Sequence, residues 1–371
     1  MSPSNPSRRR GPFRAGERVQ LTDPKGRRYT ISLTRDGYFQ STRGSFRHSE
    51  LIGRDEGSVI STDDGKSFLA LRPLVGDYVL SMPRGATVVY PKDAAQIVHV
   101  ADVFPGARVF EAGLGSGALA LSLLAAIGED GHLLSVERRP EFAEIAQANV
   151  RSWYGENCPA WSVQIGEAAD VLGSLEPGGL DHVVLDMLTP WEMIGPAARA
   201  LRSGGVILAY VATTTQMSRF VEELRDSEAY TEPEASETLV RTWHLEGLAV
   251  RPDHRMVAHT GFLVVARRLA ADSPPLMRKR RPAKAAYSQA PAWAEAADDA
   301  SWADERTISQ RKLRKVRRDV AHRADVEETG DSTPGRHGRA VSDRLEAELR
   351  QAAEQGRGGE PEADGAGSVG E

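Results

Sequence analysis

Residues 108–127 read Arg108-Val109-Phe110-Glu111-Ala112-Gly113-Leu114-Gly115-Ser116-Gly117-Ala118-Leu119-Ala120-Leu121-Ser122-Leu123-Leu124-Ala125-Ala126-Ile127. A short apolar run meets three alternating glycines, and an apolar run of helical length follows. That order predicts a buried strand, a tight turn and a helix. Glycines at such a turn let a ligand lie on exposed backbone N–H groups at the start of the helix. Glu137 closes the next apolar run, 20 residues after Gly117. A carboxylate there can accept both hydroxyls of an adenosine ribose. Together these features predict a nucleoside-cofactor crevice above the strand ends. The plainer alternative is a glycine turn kept for packing helix on sheet.

Working outward, five apolar runs rich in Val, Leu and Ile stand at 108–112, 132–137, 161–165, 181–186 and 206–212. Helical stretches such as ALALSLLAAIG and PEFAEIAQANVRSWY lie between them. Strands alternating with helices imply a mainly parallel, doubly wound α/β sheet over residues 76–270. Its end differs, because LVRTWHLEGLAV (239–250) and TGFLVVARRL (260–269) have no clear helix between them. An antiparallel final pair is expected. Residues 13–75 read as short strands broken by Asp/Gly/Pro turns, a small antiparallel barrel or sandwich. Residues 1–12 are mostly Ser, Pro and Arg and are expected to be unstructured. The same holds for 271–371, where 14 of 101 residues are large and apolar and 37 are charged.

Of the 371 residues, 47 are Lys or Arg and 52 Asp or Glu, a net charge of −5. No global basic footprint marks a nucleic-acid partner, so local patches must carry that argument. A single cysteine, Cys158, excludes an intramolecular disulfide and a multi-cysteine zinc site, and no metal is expected. No apolar run approaches the roughly 20 residues of a membrane span. A cytoplasmic protein is the expectation.

The loop spacing fits G-x-G-x-x-A, as in dinucleotide sites, and also E-x-G-x-G-x-G, as in S-adenosylmethionine (SAM) sites. Three observations favour SAM. Glu111 stands two residues before the first glycine, where it can meet an ammonium or position the loop. Gly166-Glu167 after the third strand offers a second carboxylate for the adenine side. The antiparallel sheet ending suits methyltransferases better than dehydrogenases. Asp186, in Leu185-Asp186-Met187-Leu188-Thr189-Pro190-Trp191, faces the crevice from the fourth strand. Adenine N1 already has a lone pair, so the protein need only hold the ring in line. A carboxylate accepting from the exocyclic amine does that and offsets the charge that develops. Asp186 as a helix N-cap is the bland alternative. Trp191 supplies an aromatic wall, and Tyr90 and Tyr210 can stack an extruded base, unless they are ordinary core tyrosines.

With these residues assembled, the chain resembles the bacterial and archaeal tRNA adenine-58 N1-methyltransferase family, especially its actinobacterial members. The carrying segments are YPKDAAQIV (90–98), VFEAGLGSGALALSLL (109–124), SVERRPEFAEIAQANV (135–150), VVLDMLTPWEMI (183–194), AYVATTTQ (209–216) and HTGFLVVARR (259–268). The resemblance covers roughly residues 13–270. It implies a Rossmann-like SAM methyltransferase domain, methylation of adenine N1 at position 58 in the tRNA T-loop, and a homotetramer. Asp186 falls on the family's catalytic aspartate, and Tyr90 and Tyr210 on its substrate-pocket tyrosines. Glu111, Gly113, Leu114, Gly115, Ser116, Gly117, Glu137 and Glu167 fall on its cofactor contacts, with Gln96 and Phe142 as further candidates. Phe142 can pack on adenine but offers no polar contact. His259 and Thr260 match a motif near the active-site rim, with substrate positioning or a strand-end hydrogen-bonding pair as the two readings. Rival readings are a methyltransferase for adenine 57, a protein or a small molecule, and a nucleotide-binding oxidoreductase. RNA contacts are expected from Arg8-Arg9-Arg10, Arg27, Arg28, Arg43, Arg47, Arg251 and Arg255. The basic blocks 278–281 and 311–318 can add salt-sensitive affinity.

Overall fold

The computed structural model describes residues 10–155, 158–273, 276 and 310–329. The chain divides into two compact units, Gly11–Pro73 and one that begins at Leu74. In the first, β1 (Arg18–Thr22), β2 (Arg28–Ser32), β5 (Val59–Ser61) and β6 (Ser67–Leu71) form an antiparallel sheet in the order β2-β1-β6-β5. A hairpin of β3 (Tyr38–Ser41) and β4 (Gly44–Arg47) accompanies it. Phe39 meets Tyr29 and Phe68 edge-on, with ring centroids 5.8 and 5.4 Å apart, and closes a small aromatic core.

The second unit opens with helices α1 (Val75–Ser81) and α2 (Pro91–Val100). The alternating region follows: β7 (Arg108–Ala112), α3 (Ala118–Ile127), β8 (His132–Glu137), α4 (Pro140–Tyr154), β9 (Trp161–Ile165), α5 (Ala168–Ser174) and β10 (Leu180–Leu185). After a short 3-10 turn at Pro190–Met193 come α6 (Ile194–Ala200), β11 (Leu201–Val211), α7 (Thr214–Asp226) and β12 (Glu234–Ser236). A hairpin of β13 (Trp243–Glu246) and β14 (Ala249–Pro252) then precedes β15 (Phe262–Arg267).

Seven strands make the central sheet, in the order β12-β15-β11-β10-β7-β8-β9. The run β11 to β9 is parallel, and β15 is antiparallel to β11. Helices α1 to α4 bury their apolar faces on one side and α5 to α7 on the other, giving two cores. β7 is buried along four of its five residues, as a central parallel strand should be.

Two expectations need correction. The stretch 239–250 does not pair with the last strand. It folds on itself as the β13–β14 ribbon, turning at Gly247 (φ 53°), while the short β12 takes the place beside β15. Nor is 271–371 wholly unstructured, because Gln310–Thr329 forms helix α8. Leu313 and Val316 are buried against Phe142 and Ile145 of α4. Burying two such side chains is worth about 3–6 kcal/mol, enough to offset part of the ordering cost that composition alone suggests is prohibitive. The other residues of 271–371, except 271–273 and 276, lie outside the described residues, as do Met1–Arg9.

Candidate active site

At the carboxyl ends of β7, β8 and β10 three carboxylates converge. Glu111 is buried (1% exposed) and its Oε2 accepts the Ser135 hydroxyl at 2.5 Å. Ser135 in turn accepts the Trp161 indole N–H at 2.9 Å. Glu137 holds the glycine loop, since its Oε2 accepts Gly115 N–H at 3.0 Å and its Oε1 accepts Arg139 N–H at 3.1 Å. Asp186 directly follows β10, and its own N–H donates to Ala112 O at 2.9 Å. Burial pushes the Glu111 carboxyl up to about 8, with repulsion from Asp186 and Glu137 adding and the Ser135 bond opposing. Burial and the charge of Glu137 push Asp186 up to about 7.

The sign of the resulting pH dependence is definite. Folded Glu111 keeps a proton that the unfolded chain loses near 4.5, so its contribution to stability is complete below that value. It drains away as pH rises towards about 8. Melting of the cofactor-free protein should therefore occur at lower temperature at pH 8 than at pH 5, and Glu111→Gln should flatten that trend. An unaltered slope in the variant would contradict the assignment.

Loop geometry explains the three glycines. Gly113 adopts φ +89°, and a Cβ there would stand 1.9 Å from the Asp186 carbonyl oxygen. Gly117 (φ +81°) is the N-cap of α3, and its Cβ would meet Ala146 of α4 at 3.3 Å. Gly115 (φ +55°) would meet only the Gly113 carbonyl, at 3.8 Å, so the top of the loop is open. Leu114 and Ser116 are buried beneath it. The Ser116 hydroxyl accepts Gly85 N–H at 3.2 Å, and its carbonyl accepts the Asn149 amide at 2.9 Å.

Next to this cluster, Tyr90 caps α2 ahead of Pro91 at its first position, and Tyr210 lies on β11, the neighbour of β10. Both are half-buried. Burial pushes the Tyr210 hydroxyl well above its ordinary value; it engages Thr260 and feels Asp93, Asp186 and Tyr90 nearby. Thr260 donates to Asp93 Oδ2 at 2.6 Å. Lys92 Nζ donates to Thr260 Oγ1 and to Asp93 Oδ1, both at 2.6 Å. Sequence reasoning passed over Lys92 and Asp93. A charged pair directly after Pro91, in the first turn of an otherwise amphipathic helix, is the signal that could have found them; the structure buries Asp93 to 1% exposure. Gly261 was passed over as well, although a Cβ there would sit 2.4 Å from the Tyr210 ring.

The remaining candidates fare unequally. Glu167 caps α5 at the exposed rim, 4.0 Å from Arg138, and Gln96 is half-buried on α2. Trp191 carries the Arg219 guanidinium 4.0 Å from its ring centroid, so one face of that wall is already covered. Phe142 is corrected, because it is 2% exposed, with Arg139 3.9 Å from its ring centroid and α8 packed against it. Its ring has no face open to a cofactor. His259 uses both ring nitrogens on the protein, Nδ1 with Glu237 Oε1 at 2.6 Å and Nε2 with Ala212 O at 3.0 Å. Both partners accept, which favours the imidazolium and raises its pKa. These are the bonds a strand-end pair would make, and the side chain keeps 46% of its surface exposed. A titration of its ring proton shifts by NMR should give a midpoint above 6.5, moving back down in Glu237→Gln.

The basic patches also need revision. Buried Asp23 pairs with Arg27 at 2.8 Å and Arg43 at 3.2 Å, which neutralises part of that cluster. Arg251 lies on β14 and is exposed, as is Arg255. Arg8, Arg9 and the block 278–281 fall outside the described residues.

The donor set fits SAM. Crowded carboxylates beside an open glycine cradle favour a cationic ligand, and SAM brings an ammonium and a sulfonium. Among the described residues no group of three or more His, Cys, Asp or Glu side chains is placed to hold a metal ion. No described helix is long and apolar enough to cross a membrane.

Residues 11–60 match the family described as TrmI-like N-terminal, and residues 70–249 match the tRNA methyltransferase complex GCD14 subunit. The tRNA (adenine(58)-N(1))-methyltransferase TrmI of Thermus thermophilus is 37% identical over 256 residues, which cover 68% of this chain and 96% of that protein. Among solved structures, a SAM-dependent O-methyltransferase from Thermotoga maritima has a TM-score of 0.65 at 28% identity, covering 72% of this chain and 96% of that one. The tRNA (m1A58) methyltransferase TrmI from Aquifex aeolicus has a TM-score of 0.61 at 25% identity, covering 70% of this chain and all of that one. With a Rossmann-like methyltransferase sheet, a glycine cradle ringed by carboxylates and these relatives, the chain belongs to the TrmI family of SAM-dependent tRNA (adenine-58-N1)-methyltransferases.

Proposed function

We infer that this protein methylates N1 of adenine 58 in the T-loop of tRNA, taking the base extruded from its stack. The observation that supports this most is Asp186, standing at the strand end between the glycine loop and the Tyr90–Tyr210 wall. When bound, SAM would supply an electrophilic methyl group: the N1 lone pair attacks its carbon as the S–CH3 bond breaks, and the sulfur leaves as a neutral thioether. Asp186 accepts a hydrogen bond from the exocyclic amine, sets N1 in line and offsets the positive charge the ring acquires. Tyr90 and Tyr210 hold the two faces of the base, and the Lys92–Asp93–Thr260 knot keeps their walls at fixed separation. Glu111, Glu137 and the backbone of Gly113–Gly117 hold the cofactor, with Glu167 at the rim of its adenine side. Incubation with methyl-labelled SAM and an unmodified tRNA transcript, then nucleoside mapping, should give 1-methyladenosine at position 58. Label at position 57, or in protein, would replace the substrate assignment.

A homotetramer acting in the cytoplasm completes this reading. The β13–β14 ribbon supports the assembly, because Trp243, Leu245, Leu248 and Val250 stand exposed there, Leu245 at 73% and Leu248 at 103%. An apolar ribbon of this kind belongs against a second copy. Leu245→Arg with Leu248→Arg should shift the sedimenting species from tetramer to a smaller form, and an unchanged mass would exclude the ribbon from the interface.

A further inference from the structure

Helix α8 has two unlike faces. Leu313, Val316 and Val320 recur at helical spacing, and the first two are buried on Phe142 and Ile145, with Val320 packed partly against them. At 100° per residue, Arg311, Arg314, Lys315 and Arg318 fall on the opposite side, and all four are exposed. The two other cations flank the seam and fasten it. Lys312 Nζ donates to Gly85 O at 3.1 Å, and Arg317 pairs with Glu144 at 2.7 Å. Gly85 N–H donates to Ser116 of the glycine loop, so the helix is seated next to the cofactor crevice.

Charge makes this placement significant. Residues 74–270, which hold the whole catalytic sheet, contain 15 Lys or Arg against 25 Asp or Glu, a net of −10. Such a body repels a polyanion. Residues 311–318 contain six Lys or Arg and no acid. Docking turns that block from a segment of tail into a fixed cationic stripe on an otherwise acidic catalytic unit.

We propose that the Arg311–Arg314–Lys315–Arg318 face of α8 is a binding surface for the phosphate backbone of the substrate tRNA. This rests on the tRNA reading above. The face carries cations without base-reading groups, so it positions the RNA and adds no sequence preference of its own.

The test uses the full-length protein with all four residues replaced by Gln, and fluorescence anisotropy with a labelled tRNA transcript across a salt series. Four lost phosphate contacts should make the slope of log K against log salt shallower by about 3. Affinity should fall at least about tenfold near 100 mM salt. KM for tRNA should rise in step while affinity for SAM, followed by calorimetry, stays within twofold. A companion variant, Arg311→Lys with Arg314→Lys and Arg318→Lys, keeps the charge and should keep the slope. Unchanged slope and affinity in the Gln variant would overturn the proposal, as would loss of binding in the Lys variant. Tighter tRNA binding by the Gln variant would also overturn it, assigning the face to an acidic segment of the chain itself. If wild-type protein methylates tRNA while the Gln variant matches it, only this proposal fails. A wild-type protein that neither binds nor methylates tRNA removes the tRNA reading with it.

Discussion

Asp186→Ala is expected to lower kcat/KM for tRNA methylation by about three orders of magnitude, with SAM affinity held within a few-fold. Positioning and electrostatic stabilisation of the ring are both lost, and groups of that kind are worth roughly 3–4 kcal/mol each. The isosteric Asp186→Asn keeps the shape and removes the charge, so it separates the two contributions. Because burial and Glu137 raise the Asp186 carboxyl to about 7, the ionised form that the proposed mechanism needs accumulates only as pH rises through that value. The wild-type profile of kcat/KM should therefore have an acidic limb near pH 7, since that parameter reports the free enzyme. Asp186→Asn should lose the limb. Turnover unaffected by either substitution would remove Asp186 from the chemistry.

Gly113→Ala is expected to be as damaging by a different route. The new Cβ would stand 1.9 Å from the Asp186 carbonyl oxygen, a backbone atom that no rotamer change can move. The φ of +89° adds strain for any L side chain. Overpacking and left-handed strain together cost about 2–5 kcal/mol. Either the loop shifts and SAM binding collapses, or the fold loses that much stability. Calorimetric titration of SAM and a thermal melt cover both outcomes, and wild-type values in both would refute the close approach. Gly115→Ala is the control for the melt alone, because in the cofactor-free protein its Cβ would meet only the Gly113 carbonyl, at 3.8 Å.

The parallel strands were legible because each is a short, mostly apolar stretch that a charge or a glycine cuts off, and 108–112, 132–137 and 161–165 coincide with β7, β8 and β9. What a strand pattern does not encode is its partner. Residues 239–250 alternate like a strand, yet they pair across their own Gly247 turn, and three-residue β12 had too little pattern to be noticed. Helix α8 was hidden differently. Its apolar stripe is three residues long, is diluted by charge, and finds Phe142 and Ile145 more than 160 positions away. In the site, Glu111, Glu137 and Asp186 could be placed because strand ends and loop spacing fix where their side chains emerge. Asp93 and Asn149 could not, because the bonds that tie them to the site, from Thr260 and to Pro83 and Ser116, join residues far apart in sequence. Phe142 illustrates the converse error, an aromatic beside a cofactor loop that is spent on packing.

The bond between Thr260 and Asp93 spans 167 positions of sequence. A ribosome adding roughly 5–20 residues per second needs about ten to thirty seconds to bridge that gap. The contact therefore cannot close until every strand of the central sheet except β15 has been synthesised.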